Sequence, residues 1–374
     1  MPPIWFDAHL DLACLAVNGR DMFVTPEVAG GPWPPGSVTF PSLAQGGVRL
    51  ALGTIFTEPG GEGPEGYPEG DFEAAARKGR AQIEFYLTAR DRGAVVLDLR
   101  SLLQDDPGVG EVRGGMGVSE HAPHTLARKL SRATPREALH LGILVEGADP
   151  IASPDELPWW IERGVVAIGL TWAKPSRFAG GNGSPGRGLT SAGRDMIAAM
   201  DELGLIHDLS HLSQKATEEL LAITDRPVIA SHSNCRALLG GKNERHITDE
   251  TIAEIGRRGG VVGVNLVSKF LDDTIDFDSD RRATVDDVIR NIEHVCEVMG
   301  RRDGVGLGSD MDGGFSALKL PSGIDGPAEL DMLDDALEGR GWRRQDVDGF
   351  RFGNWAKFFS AELGAHRAGA IQKD

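Results

Sequence analysis

Eight short runs rich in Val, Ile and Leu recur along this chain, separated mostly by longer stretches whose apolar residues repeat with helical spacing. The runs occupy residues 4–11, 48–56, 139–146, 165–172, 204–211, 226–233, 260–267 and 303–310. Continuous apolar character, rather than apolar–polar alternation, marks strands covered on both faces, the condition of a parallel sheet. Helices are predicted over 71–91, opening on Asp71, and over 190–203, with Thr190 as N-cap and Gly204 as stop. Others are predicted over 213–223, 248–257 and 284–299. Strand followed by helix, repeated across the chain, predicts an α/β protein of (β/α)8 TIM-barrel type.

Two stretches interrupt the rhythm. Residues 57–70 (TEPGGEGPEGYPEG) are acidic and rich in Gly and Pro, and read as a surface loop. Residues 102–136 read as a second insertion, and GAVVLDL before them as an extra strand outside the barrel. The segment 340–363 ends in FGNWAKFFSAEL, an amphipathic helix expected to pack on the barrel exterior. No linker separates two cores, so one domain is expected over residues 1–374. The net charge of −17 argues against nucleic acid or an anionic membrane surface as a partner. The N-terminus lacks a basic and an apolar leader region, and no apolar run reaches the roughly 18 residues of a membrane span. Cys14, Cys235 and Cys296 are widely spaced and predict unpaired thiols in a reducing compartment, so the expected location is cytoplasmic.

Polar residues stand where these runs end. His9 and Asp11 end the first, two apart, so on a strand both side chains face one way and can chelate one ion. Glu146 ends the third, and its two oxygens can bridge two cations. His211 and His232 end successive runs and would hold a second ion. Imidazole and carboxylate together suit zinc and other divalent first-row metals. Asp310 ends the eighth run, where a carboxylate beside metal-activated water can take a proton and pass it to a leaving nitrogen. Asp312 lies two residues on, and the turn GSDMDGG leaves its direction open.

The segments DAHLDLA, ILVEGADPI, DLSHLS, SHSNCRAL and GLGSDMDG resemble, in order and spacing, the motifs of the membrane dipeptidase family of amidohydrolase-type barrels. The resemblance covers about residues 5–314. It implies two zinc ions, one on His9 and Asp11, the other on His211 and His232, with Glu146 and a hydroxide bridging them. It further implies that Arg245 pairs with the carboxylate of a small dipeptide-like substrate, and that Asp310 moves the proton. L-Xaa-L-Xaa and L-Xaa-D-Xaa peptides are the implied substrates, and a homodimer is an implied assembly. One position departs from the family: its LTH-like triplet is here Leu170-Thr171-Trp172. Trp172 offers one indole N–H to a substrate but cannot carry charge. That leaves open another donor from the Gly-rich loop 176–188, another small amide or lactone such as an N-acyl amino acid, or a non-catalytic metal-binding homologue.

Overall fold

The computed structural model describes residues 3–99 and 138–370. At its centre eight parallel strands form a ring: β1 (Trp5–Leu10), β2 (Val48–Phe56), β3 (Leu139–Glu146), β4 (Val165–Gly169), β5 (Ile206–Asp208), β6 (Val228–Ile229), β7 (Val262–Val264) and β8 (Val305–Leu307). Strands adjacent in sequence are adjacent in space, and β8 returns to pair with β1. The ring closes between β6 and β7 through a single bridge, Ala230 to Val262. This is the expected TIM barrel.

The helices between strands begin where side chains cap them. Asp71, Thr190, Ser213, Thr248 and Thr284 each accept a hydrogen bond from the third residue of the helix that follows. Gly204 and Gly300, with φ of 72° and 66°, end two of them in the left-handed conformation that glycine adopts without strain.

The later strands are much shorter than the apolar runs. His211, Trp172, His232 and Asp310 therefore lie three residues beyond the ends of β5, β4, β6 and β8 rather than on the strands. The physical reason is visible at β5, where Asp208 turns its carboxylate back to accept the N–H groups of Ser210 and Ser231, at 3.1 and 2.8 Å. His211 then takes φ 68° and Asp310 φ 59°, a left-handed backbone that cannot continue a strand. In β1 the irregularity is a bulge: Asp7 pairs with Ala51 but Leu10 with Gly53, three residues against two. Phe6 and Ala8 lie in the apolar filling of the barrel, and the bulge re-aims the chain so that His9 also reaches the interior.

Residues 57–70 form a small parallel pair, Glu58–Pro59 with Gly66–Tyr67. Tyr67 is buried, and its hydroxyl donates to Asp149 at 2.6 Å. Val95–Val96 adds to the start of β3 as the expected extra strand. The expected insertion at 102–136 lies outside the described residues.

The C-terminal helix, Asn354–Ala370, does not lie on the barrel exterior. Trp355, Phe359 and Leu363 join Phe6, Leu50, Leu144, Ala167, Ile206 and Ile229 in one buried cluster, drawing on each of the first six strands. Only the barrel lumen brings those strands together, so the helix closes the end opposite the strand carboxyl termini. Phe6 stacks on Phe359 with ring centres 5.5 Å apart, and the Trp355 indole donates to Leu307 O at 3.0 Å. An amphipathic pattern cannot distinguish these two placements, since both bury one face. Trp355→Ala should leave a cavity in this plug and lower stability by about 3–5 kcal/mol, read by denaturant unfolding. The side chains at the carboxyl ends of the strands should keep their arrangement in the folded variant, because the substitution is at the far end of the barrel from them.

Candidate metal centre

The carboxyl ends of the strands carry a buried knot of imidazoles and carboxylates. Glu146, the last residue of β3, is at its middle. Its Oε1 lies 3.0 Å from His211 Nε2 and 3.4 Å from His232 Nε2, and its Oε2 lies 3.4 Å from His9 Nε2. His9 Nε2 also lies 4.0 Å from both Asp11 and Asp310. Ligand atoms of His9, Glu146 and His232, and separately of His9, Asp11 and Asp310, all fall within 4.8 Å of one another. The five residues expected to bind metal are thus brought together, and Asp310 joins them.

The charge balance fits a cation. Burial opposes a charge on His9, but Glu146 above all, then Asp11 and Asp310, push its pKa up to about 10. Burial raises Asp11 to about 6 and Asp310 to about 7. Burial, with Arg245 nearby, lowers His211 to about 4, and His232 is driven down by burial and by His9. The group therefore combines two neutral imidazoles, His211 and His232, with carboxylates whose need for positive charge holds a proton on His9, the place a bound cation would take. Divalent first-row ions suit such a donor set.

Outer residues set the imidazole tautomers. Asn182 Oδ1 sits 3.0 Å from His211 Nδ1, which keeps a hydrogen on Nδ1 and a lone pair on Nε2. The Ser231 hydroxyl donates to Asp208 at 2.5 Å. Its one hydrogen being spent there, it can only accept from His232 Nδ1 at 2.8 Å, so His232 Nε2 also offers a lone pair. Asp7 braces the opposite wall, accepting from the N–H groups of His9 and Ser309 at 3.2 and 2.8 Å. The sequence reading did not single out Asn182, Ser231, Asp208 or Asp7. A signal existed in Asp7 and Asp208, acidic residues inside otherwise apolar strands; Asn182 lies in the Gly-rich loop 176–188, and the side chain it meets is His211.

Arg245 is buried, and its guanidinium lies over the Phe270 ring at 5.1 Å. Nη1 reaches Ser233 Oγ at 3.4 Å, while Nε and Nη2 have no partner among the described residues. Burial lowers its pKa, against the pull of Asp310 and Glu146. A buried guanidinium with two idle donors beside this cluster has the chemistry to receive an anion. Trp172 is half-buried against Phe56 and His211, at ring-centre distances of 5.2 and 6.0 Å, and forms a wall of the site. Asp312 points away: its carboxylate is held by Arg20, by the Ser37 hydroxyl, and by the N–H groups of Ser37 and Val38.

The sequence profile described as membrane dipeptidase (peptidase family M19) matches residues 116–370. An uncharacterized protein from the pqqA 5′ region of Klebsiella pneumoniae is 33% identical over 239 residues, covering 62% of this chain and 85% of that protein. An uncharacterized dipeptidase of Schizosaccharomyces pombe is 37% identical over 155 residues, 41% of this chain and 34% of that protein. In fold, the chain resembles a metallopeptidase from Rhodobacter sphaeroides solved with a phosphinate mimic of the dipeptide L-Ala-D-Ala. The TM-score is 0.75 at 23% identity, over 97% of this chain and 100% of that one. Among the described residues no helix is long and apolar enough to cross a membrane.

Asn182→Ala should free the His211 ring and weaken metal affinity by about 10–100-fold, measured by competition with a chromogenic chelator. Wild-type affinity in that variant would show that the Asn182 contact does not support the site.

Proposed function

The chain belongs to the membrane dipeptidase family, and from that premise we propose that this metal-dependent dipeptidase uses two zinc ions to cleave L-Xaa-L-Xaa and L-Xaa-D-Xaa dipeptides. His9 and Asp11 would hold one ion, His211 and His232 the other, and Glu146 both. When bound, such ions polarise the scissile carbonyl and activate water at neutral pH.

The chain's own groups supply the rest. Arg245 binds the substrate carboxylate through Nε and Nη2, which sets the distance of the scissile bond from Glu146. Asp310 accepts the proton of the attacking water and returns it to the leaving nitrogen. Trp172 and Phe56 close one side and shield the reacting carbonyl from bulk water. The reading rests on one observation: a buried arginine with unused donors stands beside a buried cluster of three imidazoles and three carboxylates. Its three unpaired cysteines suit a reducing compartment, and we place the enzyme in the cytoplasm.

Hydrolysis of L-L and L-D dipeptides by zinc-loaded protein should vanish on chelation and return with zinc. His211→Ala should cut kcat at least 1,000-fold (about 4 kcal/mol or more) while circular dichroism shows the barrel intact. Arg245→Ala should raise KM for dipeptides about 100-fold or more, and leave C-terminally amidated peptides nearly unchanged. Cleavage of N-acyl amino acids in place of dipeptides would redirect the assignment to an aminoacylase-like reaction. Silence across both panels with metal bound would point to a homologue without catalysis.

A further inference from the structure

We propose that Asn265 is the positioning residue for Asp310, dictating which of its carboxylate oxygens faces the metal centre. Asn265 follows the end of β7 and is buried, in a run, VVGVNLV, otherwise made of apolar residues and glycine. Its Nδ2 donates to Asp310 Oδ2 at 2.8 Å. The direction of the amide is set from the other side, because Oδ1 accepts the Val267 N–H at 2.7 Å. A backbone N–H can only donate, so the amide oxygen must face Val267 and the NH2 must face Asp310.

Asp310 Oδ2 is therefore committed as an acceptor. Oδ1 is the oxygen left to exchange a proton with a substrate, and it is the one 4.0 Å from His9 Nε2. The Asn265 backbone is itself tied down. Its N–H donates to Asn234 Oδ1 at 3.0 Å, and Asn234 Nδ2 donates to Asn265 O and Phe270 O at 3.0 and 2.7 Å. Asn234 is two residues from His232, so this pair of asparagines links a ligand loop to the Asp310 loop. On the other side of Asp310, a side chain at Gly313 would collide with Oδ1, and the buried Asp312 anchors the turn to Arg20, Ser37 and Val38. The left-handed Asp310 is thus gripped from both flanks.

The inference rests on the proton-transfer role given to Asp310, and a double-mutant cycle separates the two. Zinc-loaded Asn265→Ala should lose about 10–100-fold in kcat with KM within threefold. Zinc content and thermal unfolding should show a metallated, folded protein. Asn265→Asp keeps the shape and the acceptor for Val267 but sets an oxygen against Oδ2, and should lose at least as much; it takes the place of the alanine variant if that one unfolds. In an Asp310→Asn background, assayed at high enzyme concentration, neither change should cost more than a further twofold. A loss below threefold in the single variants, or the same factor repeated in the Asp310→Asn background, would overturn the role of Asn265. Wild-type turnover by Asp310→Asn alone would instead remove the proton-transfer reading and this inference together.

Discussion

Three carboxylates buried at the mouth of an apolar barrel set the terms for much of what surrounds them. Asp11, Glu146 and Asp310 are each at least nine-tenths shielded from water, where an uncompensated charge costs several kcal/mol. Each is answered by a different device. Asp11 accepts the Thr54 hydroxyl, Glu146 is ringed by three imidazoles, and Asp310 takes an amide hydrogen from Asn265. The short strands serve the same end. If β5 and β8 continued as regular extended chain past Asp208 and Leu307, His211 and Asp310 could not adopt the turns that bring them to Glu146.

How much of this could be read beforehand follows from distance along the chain. His9 and Glu146 were legible because the first and third strands persist up to them. Asp11 was legible only as a motif residue, because β1 stops at Leu10 and Asp11 caps the helix Leu12–Val17 rather than sharing a strand face with His9. His211, His232 and Asp310 were legible as motif residues, but not their loop placement, because apolar residues such as Leu209 and Ala230 belong to the core whether or not the chain stays extended. The partners that orient them were not legible. Asn182 meets His211 across 29 residues and Asn265 meets Asp310 across 45, and neither spacing has a signature in local periodicity. The direction of Asp312 likewise depended on Arg20 and on the backbone at 37–38, which only the closed barrel brings near.

A single hydroxyl shows how economical the second layer is. Ser231 lies within 3.5 Å of His9 Nδ1 as well as of Asp208 and His232, so one side chain touches two of the three imidazoles around Glu146. Coupling of this kind ties His9 and His232 into one rigid unit, since a rotation of either imidazole disturbs the hydroxyl that the other also touches.

The aromatic plug at the far end has a consequence in time rather than in space. Phe6 finds its stacking partner more than 350 residues later, at Phe359. During synthesis the lumen therefore stays incompletely filled until the helix Asn354–Ala370 has cleared the ribosome, however early the first strands are made. The nascent barrel spends most of that interval with Phe6, Leu50, Leu144 and Ile206 lacking their final cover. Contacts of such long sequence separation make folding slow and leave intermediates open to aggregation. Chaperone demand in the cell should accordingly concentrate at the stage when the chain has its whole catalytic face but not yet its floor.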